Sequence, residues 1–283
     1  MSMAASMTKI AGSLVSGLGA DFAQIESVTV RVYVDRSCPT YLAQAVRQAL
    51  VPERVSAHVE VLPLAASEAQ TSTVPDAAII VSGGNLLVGE KCAELAASGI
   101  PVAVIVESAV EAPRVAVSAE AALRINILAG TSSEAVLERL AVWLASATEK
   151  GVSCAASFPF CREALVSSLV SRCAATNAAI GAVSMIPGSD MALMTSSQIR
   201  LALDIATAYG LDSRIDRIPE LAGVACAGLA YRSAVRSLVG VVPGFGWLLK
   251  ASMGYLGTKV TARGIVMRIE HIKKEENQPQ VVD

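Results

Sequence analysis

The 283 residues leave room for one large domain or two small ones, and they are 53% apolar but only 4% aromatic, so small aliphatics supply the apolar bulk. A net charge of −2 excludes the dense basic face of a nucleic-acid binder. Six cysteines without a C-x-x-C pair, beside two histidines, give no zinc-ligand set. The scattered, apolar-flanked cysteines (Cys38, Cys92, Cys154, Cys161, Cys173, Cys226) read as reduced core residues of a cytosolic chain.

Charge is uneven. Residues 1–150 hold 10 Lys and Arg against 15 Asp and Glu, whereas residues 151–283 hold 13 against 10. The second half is therefore more basic and suits an anionic lipid surface or an acidic partner. Its mean hydropathy contributes to a whole-chain value of +0.53, and small residues at close helix contacts suit either a packed bundle or helices that meet a membrane.

Residues 1–25 are expected to form a tail or a helix. Ile10 to Ala20 imitates a signal peptide, but Gly12, Ser13, Ser16, Gly17 and Gly19 break its short apolar run. Val28 to Val34 alternates β-formers and predicts a strand, and Thr40 to Leu50 has helical spacing. Val55 to Val61 predicts a half-exposed edge strand, with Val55, Ala57, Val59 and Val61 on one side and Ser56, His58 and Glu60 on the other. Ala77 to Val81 and Val102 to Val106 are continuous apolar runs, as strands buried on both faces require. A helix over Leu86 to Ser98 separates them. Ile125 to Leu128 is a last short strand. Thr131 with Glu134 forms a capping box for a helix through Leu144. Strands alternating with helices predict a three-layer, mostly parallel α/β sheet over residues 26–149.

Ligands of such sheets sit at the carboxyl ends of the strands. The loop Asp35-Arg36-Ser37-Cys38-Pro39-Thr40 has neither the glycines nor the lysine of a phosphate loop. Ser82-Gly83-Gly84-Asn85 pairs glycines with a helix start, so these four residues are the candidate anion site; an ordinary tight turn with Asn85 as N-cap explains them too, and the shortness of the signal favours the turn. The loop Glu107 to Ala112, ESAVEA, is acidic and repels phosphate.

The order AAIIV, GIPVAVIVE, INILAGTSSEAVLERLAVWL resembles the second half of a small GTPase domain. In that family the strand after G-[IV]-P ends in Asn-Lys-x-Asp, and a later one ends in Ser-Ala-Lys. Here those positions read Glu107-Ser108-Ala109-Val110 and Ala129-Gly130-Thr131, and G-x-x-x-x-G-K-[ST] is absent. The resemblance implies a degenerate G domain without its nucleotide grip. It carries over no functional residue and no cofactor.

A junction is expected near Glu149-Lys150-Gly151, followed by a helical hairpin bundle over residues 150–275 and a tail over 276–283. Pro187-Gly188 and Pro243-Gly244 break apolar helices, because proline lacks an N–H and glycine accepts a positive φ. The helix after the first break starts at Ser189 or Asp190, or at the Thr195–Gln198 capping box, and ends near Tyr209 with Gly210 at its cap. Pro219 suits the first turn of the next. Asp204 and Arg200 stand at i, i+4 and predict a local ion pair. Arg232 and Arg236 share a face as like charges. With Lys250 they are the candidate membrane or partner surface, a solvated polar stripe being the plainer explanation. Cations interrupt every apolar stretch long enough to cross a bilayer, so interfacial helices or a packed bundle fit better than spans.

The run AAIGAVSMIPGSD, then QIRLALDIATAYG, then VPGFG resembles the bacterial helical domain of unknown function that accompanies GTPase domains, the YcjF-like group, over about Ala175 to Ile269. The resemblance implies a GTPase partner, often contact with membrane lipid at the inner membrane, and no catalytic residue. His58 on a strand's polar face and His271 in a charged tail form no catalytic constellation with a nucleophile. The sequence thus leads to a non-enzymatic, GTPase-associated docking protein at the cytoplasmic face of the cell membrane. The alternatives are a hydrolase with a non-standard phosphate loop and a soluble helical protein of the cytoplasm.

Overall fold

The structure, a computed structural model, describes residues 25–66, 73–183, 189–211 and 246–277. The chain divides into two compact units, Ile25–Leu165 and a second carried by the helices from Val166 onward.

In the first unit, strands β1 (Val28–Val34), β2 (Ala57–Pro63), β3 (Ala77–Val81), β4 (Val102–Val106) and β5 (Ile125–Ala129) form one sheet in the order β2-β1-β3-β4-β5. Every pairing is parallel. Helices α1 (Thr40–Ala49), α2 (Leu87–Ala97), α3 (Ala119–Ala122), α4 (Ser133–Ala147) and α5 (Gly151–Ser157) complete the unit. This is a doubly wound order, and strand addition reverses direction between β1 and β3. The α/β class expected from the sequence is therefore present.

β3 and β4 are buried at every position, which is why their sequences run apolar without alternation. Tyr33, Ile80 and Val104 pack against Val88, Cys92 and Leu95 of α2. Lys91 is the polar member of that contact. Its Nζ stands 5.2 Å over the Tyr33 ring and donates to Ala66 O at 2.8 Å and Glu94 Oε2 at 2.7 Å, so the buried cation is neutralised where it lies.

The edge strand differs from its expected span. β2 begins at Ala57, because Val28 pairs with Ala57, and Val55 is left in an exposed turn. Val61 is exposed as well, whereas Glu60, the register partner of Arg31 on β1, meets that buried guanidinium at 2.7 Å. Arg31 also donates to Thr73 O at 2.6 Å. A two-sided polar and apolar alternation cannot reveal that one of its charges has a buried partner on the next strand. The cap of α4 is Ser132 rather than Thr131: Ala135 N donates to Ser132 Oγ at 3.3 Å.

Glu149-Lys150-Gly151 is no linker. Lys150 Nζ lies 2.8 Å from Asp76 Oδ1 and donates to Ser27 O at 2.9 Å, while Asp76 Oδ2 accepts from Thr29 N at 2.8 Å. The junction is thereby tied to the amino ends of β1 and β3. At Gly151 a Cβ would stand 2.4 Å from Ala145 O, so the chain turns back closely enough there for α5 to pack on α4. The compact unit accordingly continues to Leu165.

The second unit contains α6 (Arg162–Val183) from Val166 onward, α7 (Ser189–Ala208) and α8 (Gly246–Asn277). Leu201, Ile205, Ile265 and Ile269 form its core with Val166, Leu169 and Val170. A polar cluster crosses the three helices. Asn177 Nδ2 donates to Thr258 Oγ1 at 2.9 Å, Ser197 Oγ donates to Asn177 Oδ1 at 2.8 Å, and Thr258 Oγ1 donates to Gly254 O at 2.7 Å. Gly254 is needed there, since a Cβ would lie 2.6 Å from Asn177 O.

α7 starts at Ser189, so Thr195 and Gln198 lie inside it rather than at a second start. It stops as expected: Gly210 has φ +74°, and Leu211 N and Gly210 N donate to Ala206 O and Thr207 O. Asp204 is partly buried. Burial raises its pKa, against the pull of Arg200 and of Arg172 on α6. Pro187, Gly188, Pro243, Gly244, Arg232 and Arg236 lie outside the described residues. Lys250 is on the α8 backbone, but its side chain is outside them too. No helix among the described residues is long and apolar enough to cross a membrane.

Candidate functional site

The strand order sets the ligand position of such a sheet at the carboxyl ends of β1 and β3, where the topology reverses. Two of the loops singled out from the sequence meet there. One is Asp35 to Pro39 after β1, and the other is Ser82-Gly83-Gly84-Asn85 after β3.

They meet closely. A Cβ on Gly83 would stand 2.2 Å from the Ser37 carbonyl carbon and 2.5 Å from Cys38 N, so only glycine fits. Gly84 adopts φ +89°, which turns the chain toward α2. The contact is polar. The buried Asp35 carboxylate accepts from Gly83 N at 2.9 Å, Ser37 Oγ at 2.9 Å and Ser37 N at 3.2 Å. Burial alone would raise the Asp35 pKa. The hydrogen bonds from Gly83, Ser37 and Asn85 outweigh it, and the net shift is downward. Other donors of the turn are also engaged: Gly84 N donates to Ser82 Oγ at 3.0 Å and Ser82 N to Ile105 O at 2.9 Å, while Asn85 Oδ1 accepts from Leu87 N at 3.0 Å.

The glycine turn thus directs backbone donors of Gly83 and Asn85 toward a carboxylate of the chain itself. A phosphate placed there would have to displace the Asp35 carboxylate or share the space with its negative charge. The N-cap position of α2 is Leu86 rather than Asn85, although Asn85 Oδ1 accepts from Leu87 N just before it, and the Gly83 N–H that could hold a phosphate holds a side chain.

The neighbouring loops close the rest of this edge. Tyr41, at the start of α1, donates its hydroxyl to Glu107 Oε1 at 3.0 Å, with Thr131 O at 3.4 Å. Its pKa is raised, by desolvation first and then by the bond to Glu107 and the charges of Glu107 and Glu111. Ser108 caps a single 3-10 turn, Ala109–Glu111. The acidic loop after β4 is therefore an acid held by a tyrosine, followed by a capped turn. Cys38 adjoins Asp35 and is half-buried. Desolvation and then the Asp35 charge push its thiol up, away from a reactive thiolate. Among the described residues no group of His, Cys, Asp and Glu could hold a metal ion. His58 is exposed on the edge strand β2, and His271 is exposed on α8 of the second unit.

Sequence reasoning located the two loops and missed Asp35 as the group that joins them. It was classed only with a loop that lacks glycine. Its partner Gly83 is 48 residues away, and no local pattern marks that distance.

Fold and site together define a doubly wound parallel α/β domain with a self-occupied switch point, followed by a helical unit. Compared with protein-family models, curated proteins and solved structures, the chain gives no significant match.

Proposed function

We propose that this chain is a non-enzymatic docking or scaffolding module that associates with a GTPase at the cytoplasmic face of the cell membrane. Its sheet unit is read as a degenerate small-GTPase-like domain. The observation that carries the reading is the Asp35 carboxylate seated on the backbone N–H groups of Gly83 and Asn85, where a nucleotide phosphate would need them. The GTPase partner is supported by the resemblance of Ala175 to Ile269 to the YcjF-like group, and membrane contact by that resemblance and the basic second half. The hydrolase alternative would use the same Ser82 to Asn85 donors, and their engagement weighs against it.

Titration of the purified chain with a fluorescent GTP analogue tests the reading. No saturable binding is expected at physiological nucleotide concentration. Micromolar binding competed by unlabelled GTP would sink the proposal in favour of the hydrolase.

A further inference from the structure

α8 carries two kinds of surface. Its inner side presents Ala262, Ile265 and Ile269 to the core, with Thr258 and Thr261 buried beside them. Its outer side is unusual for a solvated helix face. Tyr255, Leu256, Val260 and Met267 are 36%, 60%, 70% and 58% exposed, and they are all the exposed large apolar residues described in the second unit. Steps of four and seven residues bring Leu256, Val260 and Met267 onto one side, a strip roughly 16 Å long at 1.5 Å per residue. Lys259 and Arg263 are exposed among them. The Lys259 ammonium rests 4.8 Å over the Tyr255 ring. From Gly246 to Ile269 the helix carries Lys250, Lys259, Arg263 and Arg268 and no acidic residue.

We propose that this face, Tyr255, Leu256, Lys259, Val260, Arg263 and Met267, is the surface by which the chain lies on an anionic phospholipid bilayer. The proposal rests on the membrane reading above and gives that reading a place and a lipid class. Apolar side chains enter the headgroup boundary, and the two cations between them meet the lipid phosphates; a helix of this mixed face lies in the interface plane rather than crossing it. Charge calls for an anionic occupant, and the apolar side chains between the cations call for one with a hydrocarbon layer beneath its charges. A second copy docked on the same strip would set cations against cations, with no acid within it to neutralise them. A neutral apolar partner would leave Lys259 and Arg263 desolvated and unpaired. Anionic headgroups satisfy both halves of the strip at once.

The test is co-sedimentation of the full chain with phosphatidylcholine vesicles, with and without phosphatidylglycerol, at low and high salt. Two double variants are compared, Lys259→Glu with Arg263→Glu and Leu256→Ser with Met267→Ser. All four positions are exposed, and circular dichroism checks that the helices persist. Wild type should bind only the anionic vesicles and leave them at high salt, and each variant should partition on the order of tenfold more weakly. Wild-type binding that neither variant weakens would overturn this face and leave the membrane reading standing. No binding to either vesicle would overturn both. Self-association in analytical ultracentrifugation, lost in the Leu256→Ser, Met267→Ser variant and without vesicle binding, would make the strip a contact between copies instead.

Discussion

Asp35 shows how one side chain can decide what a ligand-binding edge does. Its carboxylate is removed from water, which alone would favour the neutral form, yet the donors of Gly83, Ser37 and Asn85 hold it ionised. A folded-state pKa below the ordinary 3.8 means that the unfolded chain binds more protons in the acid range. The stabilisation is therefore complete above about pH 4 and is lost as pH falls through the folded value. Asp35→Asn should cost on the order of 1–3 kcal/mol at pH 7, because it leaves buried donors poorly matched. The gap from wild type should shrink as the pH is lowered toward 2. Denaturant unfolding at a series of pH values measures it, and a gap independent of pH would show that the charge is not what closes the loops. Asp35 was not legible in the sequence, since its role depends on a glycine that only the sheet brings near. The glycines themselves were legible, because their pairing at a helix start is a local signal.

At the scale of elements, legibility followed burial. β3 and β4 are covered on both faces, and their apolar runs give their ends without error. β2 has one paired edge and an exposed flank, so its alternation ran on into Val55, which is outside the strand. Two adjacent hydroxyl residues, Thr131 and Ser132, can each cap α4, and sequence alone does not choose between them. The turn from α4 into α5 looked like a linker because Glu149-Lys150-Gly151 is polar and ends in glycine. What holds it is the Lys150–Asp76 pair, a long-range contact. In the helical unit one glycine among the described residues, Gly254, marks a close approach of two helices. Gly254 lies under Asn177, and the local helix preference there opposes the packing: alanine would gain about 1 kcal/mol of helix propensity but force its Cβ to within 2.6 Å of Asn177 O. Because the near atom is backbone, the clash should dominate, and Gly254→Ala should destabilise by roughly 1–3 kcal/mol. Thermal unfolding followed by circular dichroism reads this directly. A raised midpoint would mean that α6 and α8 are not in such close contact.

For the whole molecule, the doubly wound unit ends at Leu165 and the helices beyond it form a second compact unit. Composition and periodicity sufficed for the two classes, α/β and then helical, because parallel strands and long helices write different periods into the sequence, but not for the boundary, which was expected near Glu149-Lys150-Gly151. They did not suffice for function: the loops at the carboxyl end of the sheet resemble a nucleotide site in position only. The proposed docking role requires that this end keep its donors for the chain's own carboxylate. Amide hydrogen exchange at Gly83, Gly84 and Asn85, measured with and without GTP and magnesium, tests it most directly. The account predicts slow exchange at Gly83 and Asn85 in the free chain, unchanged by nucleotide and accelerated in Asp35→Asn. Fast exchange in the free chain that becomes slow on adding GTP would contradict it, because the donors would then be waiting for a phosphate.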